Sequence, residues 1–71
     1  MTYSWTFTMR DFGTERMMTV LLDGRIIGRL DPFCEIGVPA TAAGRGRVLR
    51  RAAAVYVRAW LAQASSVPDE Q

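Results

Sequence analysis

The sequence predicts an α+β fold in β-β-β-α order, a small antiparallel sheet of three or four strands with one C-terminal amphipathic helix packed on one of its faces. Three observations carry that expectation. Residues 2–10 alternate strictly between large apolar and small polar side chains, the period of a half-buried strand. An Asp23-Gly24 pair joins two apolar runs, the strongest short hairpin signal. Residues 47–64 contain no glycine or proline and are rich in alanine, arginine and leucine, all good helix formers.

Each element has its own justification. In residues 2–10, Tyr3, Trp5, Phe7 and Met9 fall on one face and Thr2, Ser4, Thr6 and Thr8 on the other, so the aromatic face is expected inside. Gly13 centres a turn over residues 11–14. The runs 15–22 and 25–30 then pair across Asp23-Gly24, setting Leu22 opposite Arg25, Leu21 opposite Ile26 and Val20 opposite Ile27. This register gathers Met17, Thr19, Leu21, Ile26 and Leu30 on one face, and Met18, Val20, Leu22, Arg25, Ile27 and Arg29 on the other. Pro32 has no amide hydrogen for a ladder, so Asp31-Pro32 ends the third strand. Residues 33–38 read either as a short edge strand or as a segment that simply crosses the domain. Residues 39–46, with two glycines, read as a connector, although Pro39 also suits the first position of a helix.

The helical wheel of residues 47–64 has a wide apolar side. Val48, Leu49, Ala52, Ala53, Val55, Tyr56, Ala59 and Trp60 fill one arc, and Arg47, Arg51 and Arg58 fall in a stripe roughly 40° wide opposite it. The arc is expected on the aromatic face of the sheet, with Tyr56 and Trp60 meeting Trp5 and Phe7. Residues 1–64 thus form one domain, followed by a flexible acidic tail over residues 65–71.

Composition limits the chemistry. Seventy-one residues lie near the lower size at which one hydrophobic core suffices, so a partner or a second copy is an expected source of stability. No apolar stretch approaches the roughly 18–20 residues that span a bilayer, and no secretory signal is visible in residues 1–10; the expected location is cytoplasmic. Cys34 is the only cysteine, which excludes an internal disulfide and reads as an ordinary buried thiol. The chain has no histidine, lysine or asparagine. Ser-His-Asp and Cys-His arrangements, lysine nucleophiles and histidine-based zinc sites are therefore unavailable to it. Asp31 and Glu35 stand four apart, but Pro32 between them breaks the helical face that would set an acid–base spacing. No catalytic, cofactor-binding or metal-binding residue is expected, and no small-molecule substrate.

Charge is the one strong lead. The formal net charge is only +2, yet it is segregated. Between Ile36 and Pro68 stand Arg45, Arg47, Arg50, Arg51 and Arg58 and no carboxylate, whereas the preceding residues hold four arginines against five acids. Such a segment attracts anions. Gly44-Arg45-Gly46, read as lying just before the helix, would add free amides and the positive dipole end. The run Gly44, Gly46, Arg50, Arg51, Ala52, Ala53 resembles the end of a double-stranded-RNA-binding domain over about 15 residues. That family also has an N-terminal helix, where this chain starts with a strand, and no RNA-binding residues are carried over.

Two function classes follow. One helix covers one face of a three-stranded sheet, so the other hairpin face, expected to be Met18, Val20, Leu22, Arg25, Ile27 and Arg29, is the candidate surface for a homodimer or for a different protein. The first expectation is a non-catalytic protein that docks on a protein or nucleoprotein partner and blocks or modulates it. Small, catalytically bare chains of this sort are typical of phage and mobile-element inhibitors, anti-CRISPR proteins among them. The alternative is sequence-nonspecific nucleic-acid binding through the five arginines of the helix region.

Overall fold

The computed structural model describes residues 2–12 and 15–66. Strands β1 (Trp5–Phe12), β2 (Glu15–Leu22) and β3 (Arg25–Leu30) form one antiparallel sheet in the order β1-β2-β3, and helix α1 (Ala42–Ser66) lies across one face. This is the expected α+β arrangement with three strands. Of the turn expected over residues 11–14, Asp11 and Phe12 pair with Arg16 and Glu15 in the ladder, and of the tail expected over residues 65–71, Ser65 and Ser66 belong to α1. Residues 13, 14 and 67–71 lie outside the described residues.

Strand β1 begins later than its alternation does because its partner runs out. Trp5 pairs with Leu22, the last residue of β2, so residues 2–4 have no strand beside them. Ser4 is instead tied to the hairpin turn. Its amide donates to Asp23 Oδ1 at 2.9 Å, and its carbonyl accepts the Asp23 amide at 2.7 Å. Asp23 and Gly24 both have positive φ, 51° and 82°, the conformation that lets a two-residue link follow the twist of its strands. One aspartate thus closes the β2–β3 hairpin and fastens the start of β1 to it.

The hairpin register departs from expectation at one residue. Leu22 pairs with Arg25 and Leu21 with Ile26 as expected, but Val20 pairs with Gly28, because the ladder shifts between Val20 and Leu21. Ile27 is the extra residue of a β-bulge, and everything after it changes face. Leu30 therefore packs with Met18 on the core side, and Arg29 stands opposite Thr19 on the open side.

The chain then turns instead of adding a strand. The Asp31 carboxylate accepts the Phe33 amide at 2.9 Å, and the Asp31 carbonyl accepts the Cys34 amide at 3.4 Å. Aspartate first and proline second is the preferred order for such a turn. It drives Phe33 into the interior and turns Cys34 outward. The expected buried thiol is thus an exposed one. Gly37, with φ 78°, closes a wider turn onto the Phe33 carbonyl at 3.0 Å.

Helix α1 starts five residues before the glycine-free stretch. Thr41 caps it, its Oγ1 accepting the Gly44 amide at 3.0 Å and its carbonyl accepting the Arg45 amide at 3.0 Å. Gly44 and Gly46 are therefore helical, and the propensity cost of two glycines is overridden by the cap and by packing. Gly44 is buried, and a Cβ there would come within 3.1 Å of the Pro39 side chain.

The core forms where β2 meets α1. Met18 and Val20 are 0% exposed, Leu22 is buried, and Ala53 and Val57, one helical turn apart, are 0% and 1% exposed above them. Phe7 and Met9 of β1, Ile27 and Leu30 of β3, and Leu49, Ala52, Tyr56 and Leu61 of α1 complete it. The helix is thus rotated from the expected orientation. Its contact line runs along Leu49, Ala53 and Val57, and Trp60 ends at the margin, 39% exposed. Tyr56 lies over β3: its hydroxyl donates to the Ile27 carbonyl at 3.2 Å. The position opposite Val20 is glycine, and a Cβ on Gly28 would overlap the Tyr56 ring and hydroxyl. The bulge, the missing side chain and the tyrosine fit as one unit.

Gly28→Ala should therefore destabilise the fold by about 1–3 kcal/mol through overpacking, although glycine to alanine at an unobstructed site stabilises by about 0.4–1 kcal/mol. Tyr56→Phe should cost about 0.5–1.5 kcal/mol for the lost hydrogen bond. In a urea-unfolding cycle of Gly28→Ala with Tyr56→Leu, the two changes should couple by about 0.5–3 kcal/mol, and additivity would mean that Tyr56 does not fill that space.

Candidate functional site

All five arginines of the helix region are exposed and lie within α1, but the fold does not gather them into one patch. Arg47, Arg51 and Arg58 share a stripe, being four and seven residues apart on a helix of 3.6 residues per turn. Arg45 is turned toward the connector, where its Nη1 donates to the Pro39 carbonyl at 3.2 Å. Arg50 lies on a different side of the helix, its guanidinium close to Gly46. The expected phosphate cradle at Gly44-Arg45-Gly46 is not formed: the segment is helical, and the Gly44 amide is taken by Thr41.

Of these arginines, Arg45 alone lies in the first turn of α1, where the helix dipole disfavours a cation. The first turn of α1 has no acidic residue and the last turn no basic one, whereas a helix stabilised by its charges has the opposite distribution. Arg47, Arg51 and Arg58 lie outside both end turns, so the dipole neither favours nor opposes their stripe.

The rotation of α1 leaves part of its apolar arc off the sheet. Val48, Val55 and Ala59 face the 31–38 connector across a groove of about 420 Å³, with Leu30, Pro32 and Ile36 opposite and Arg51 among its lining residues. Val55 is 48% and Ile36 66% exposed. This apolar strip adjoins the Arg47, Arg51, Arg58 stripe on the same helix. Sequence reasoning placed Val48, Val55 and Ala59 in the core because their arc is continuous with the residues that are buried. The arc is wider than the sheet can cover.

The expected partner face is corrected in the same way. Met18, Val20 and Leu22 are the core beneath α1, and Ile27 packs against it; they offer nothing to a second molecule. Arg25 and Arg29 are exposed, but the bulge separates them, Arg25 opposite Leu22 and Arg29 opposite Thr19. The open face of the sheet is formed by the other set, with Met17 39% and Ile26 52% exposed beside Leu21, Thr6 and Thr8. A second, smaller hollow of about 310 Å³ lies between Trp60 and the β2–β3 turn.

Among the described residues there is no group of three or more potential metal ligands, and no buried side-chain polar atom lacks a hydrogen bond. The Asp31 carboxylate is engaged by the Phe33 amide, and Glu35 is exposed. No described helix is long and apolar enough to cross a membrane. Comparison with known proteins found no matching protein family, no matching curated protein and no matching solved structure.

The turn that exposes Cys34 makes a direct test of this connector. A thiol reagent should label one cysteine per chain in native buffer, and labelling that required denaturant would contradict the geometry of residues 31–34.

Proposed function

We propose that this chain is a small non-catalytic binding protein that docks on a protein or nucleoprotein partner and blocks or modulates it. The observation that carries the proposal is the coexistence, in so small a fold, of two exposed apolar surfaces, one on α1 and one on the sheet, with a cationic stripe beside the first. Exposed apolar area beside arginine is the composition of interaction surfaces. A blocking protein of the phage or mobile-element kind, an anti-CRISPR protein for example, fits these dimensions. Its working compartment on this reading is the cytoplasm. A homodimer belongs to the same reading, paired through the open sheet face of Met17, Leu21 and Ile26.

A second reading, direct nucleic-acid binding, draws on five exposed arginines in a helix without carboxylates. Three phosphate contacts from Arg47, Arg51 and Arg58 would give binding with a log-log salt slope of about −3.

Gel retardation with duplex and single-stranded nucleic acid separates the two. The docking reading expects no shift at physiological salt and capture of a defined protein or nucleoprotein by the tagged chain. A shift that is lost between about 50 and 200 mM salt, and abolished when Arg47, Arg51 and Arg58 are all replaced by glutamate, would transfer the conclusion to direct nucleic-acid binding.

A further inference from the structure

The geometry points to the groove between α1 and the 31–38 connector as the docking site for an acidic amphipathic helix of a partner protein. The inference rests on the docking reading and specifies its surface and the chemistry of its ligand. The groove side of α1 from Val48 to Ala59 rises about 16 Å, room for about three turns of a ligand helix with apolar anchors at i, i+3 or i+4, and i+7. Val48, Val55 and Ala59 recur along it at intervals of seven and four, matching that spacing.

Charge decides what such a helix carries on its other side. Arg51 lines the groove, and Arg47 and Arg58 continue the same stripe one and two turns to either side, with no carboxylate anywhere in α1. The opposite wall belongs to the connector, which holds Asp31, engaged by the Phe33 amide, and exposed Glu35. A ligand helix is therefore oriented, with its glutamates or aspartates over α1 and its apolar anchors down in the groove.

The same charges discriminate against other occupants. A twofold pairing of two copies through this face would bring one arginine stripe against the other, with repulsion and no acidic counterpart on α1. A nucleic-acid backbone would satisfy the arginines and leave Ile36, Val48 and Val55 uncovered. An acidic amphipathic helix satisfies both halves of the surface.

The test is an NMR titration of the full chain with a synthetic helical peptide that has leucines along one side and glutamates along the other. Methyl shifts should be confined to the groove lining, with Ile36, Val48 and Val55 moving most and Leu30, Ala52 and Ala59 beside them. Val55→Asp or Arg51→Glu should weaken binding about tenfold or more, and replacing either the peptide's leucines by serine or its glutamates by lysine should abolish it. Because Val55, Ile36 and Arg51 are exposed, Val55→Asp and Ile36→Ser should both keep the wild-type circular dichroism. Absence of methyl shifts at saturating peptide, shifts on Leu21 and Ile26 of the open sheet face, or undiminished binding by Val55→Asp would each overturn the assignment. So would a short DNA duplex that competes the peptide away and itself moves only the arginine signals. If a partner captured by the wild-type chain is still captured by Val55→Asp and Ile36→Ser, the groove is wrong and the docking reading stands. If the wild-type chain captures nothing and retards nucleic acid, the docking reading itself is lost.

Discussion

The structure depends on how Tyr56 is seated against β3. Its hydroxyl reaches the Ile27 carbonyl at a β-bulge, and its ring occupies space that exists only because Gly28 has no side chain. Three features that each weaken a regular element, an extra residue in a ladder, a glycine inside a strand and a polar atom half-buried under a helix, become compatible when they coincide. Glycine within a strand commonly marks such a close approach, and a bulge re-aims the side chains around it.

From that seat the rest of the architecture follows. With Tyr56 over β3, helical geometry brings Ala53 and Val57 down on β2, where Met18 and Val20 lose all contact with solvent. Val55 and Ala59 are carried away from the sheet. They face, across the groove, the connector, whose path is set by the Asp31-Pro32 turn and by Phe33 buried beneath it. The groove beside the arginine stripe is thus a by-product of how the helix is locked, and the surface that carries the functional proposals was produced by a packing solution in the core. The opposite end of the sheet is held by a second small device, the paired hydrogen bonds between Ser4 and Asp23.

What could be read in the sequence was governed by local chemistry. The strands Glu15–Leu22 and Arg25–Leu30 and the Asp23-Gly24 turn have the bounds their residues announce, because a type I′ link and period-2 alternation are decided within a few residues. The alternation of residues 2–10 also put Phe7 and Met9 correctly inside, but Tyr3 and Trp5 of the same face are exposed, because β1 starts where its partner ends and the helix does not cover that end of the strand. The helix rotation, the face of Arg29 and Leu30, and the exposure of Cys34 were not legible. The first two turn on events at a distance, the bulge at Ile27, invisible in a run of apolar residues, and a tyrosine that selects a glycine 28 residues earlier in the chain. The third turns on the local Asp31-Pro32 turn, whose direction the residues do not announce. The one written sign was Gly28 itself, a glycine interrupting an otherwise well-formed strand. Of the candidate site, the arginines were legible by composition and the stripe of Arg47, Arg51 and Arg58, apart from Arg50, by the helical wheel. The place of Arg45 inside α1 and against Pro39 was not, since the helix starts earlier, at the Thr41 cap.

The account is tested most directly by nuclear Overhauser contacts of the Tyr56 ring in solution. The ring protons should show strong contacts to the Gly28 α-protons, together with contacts between the Val57 and Val20 methyl groups and none from the Val55 methyls to the sheet. A Tyr56 ring in contact with Trp5 and Phe7, with the Val55 methyls against β2, would place the helix in the other rotation and contradict both the core and the groove described for this chain.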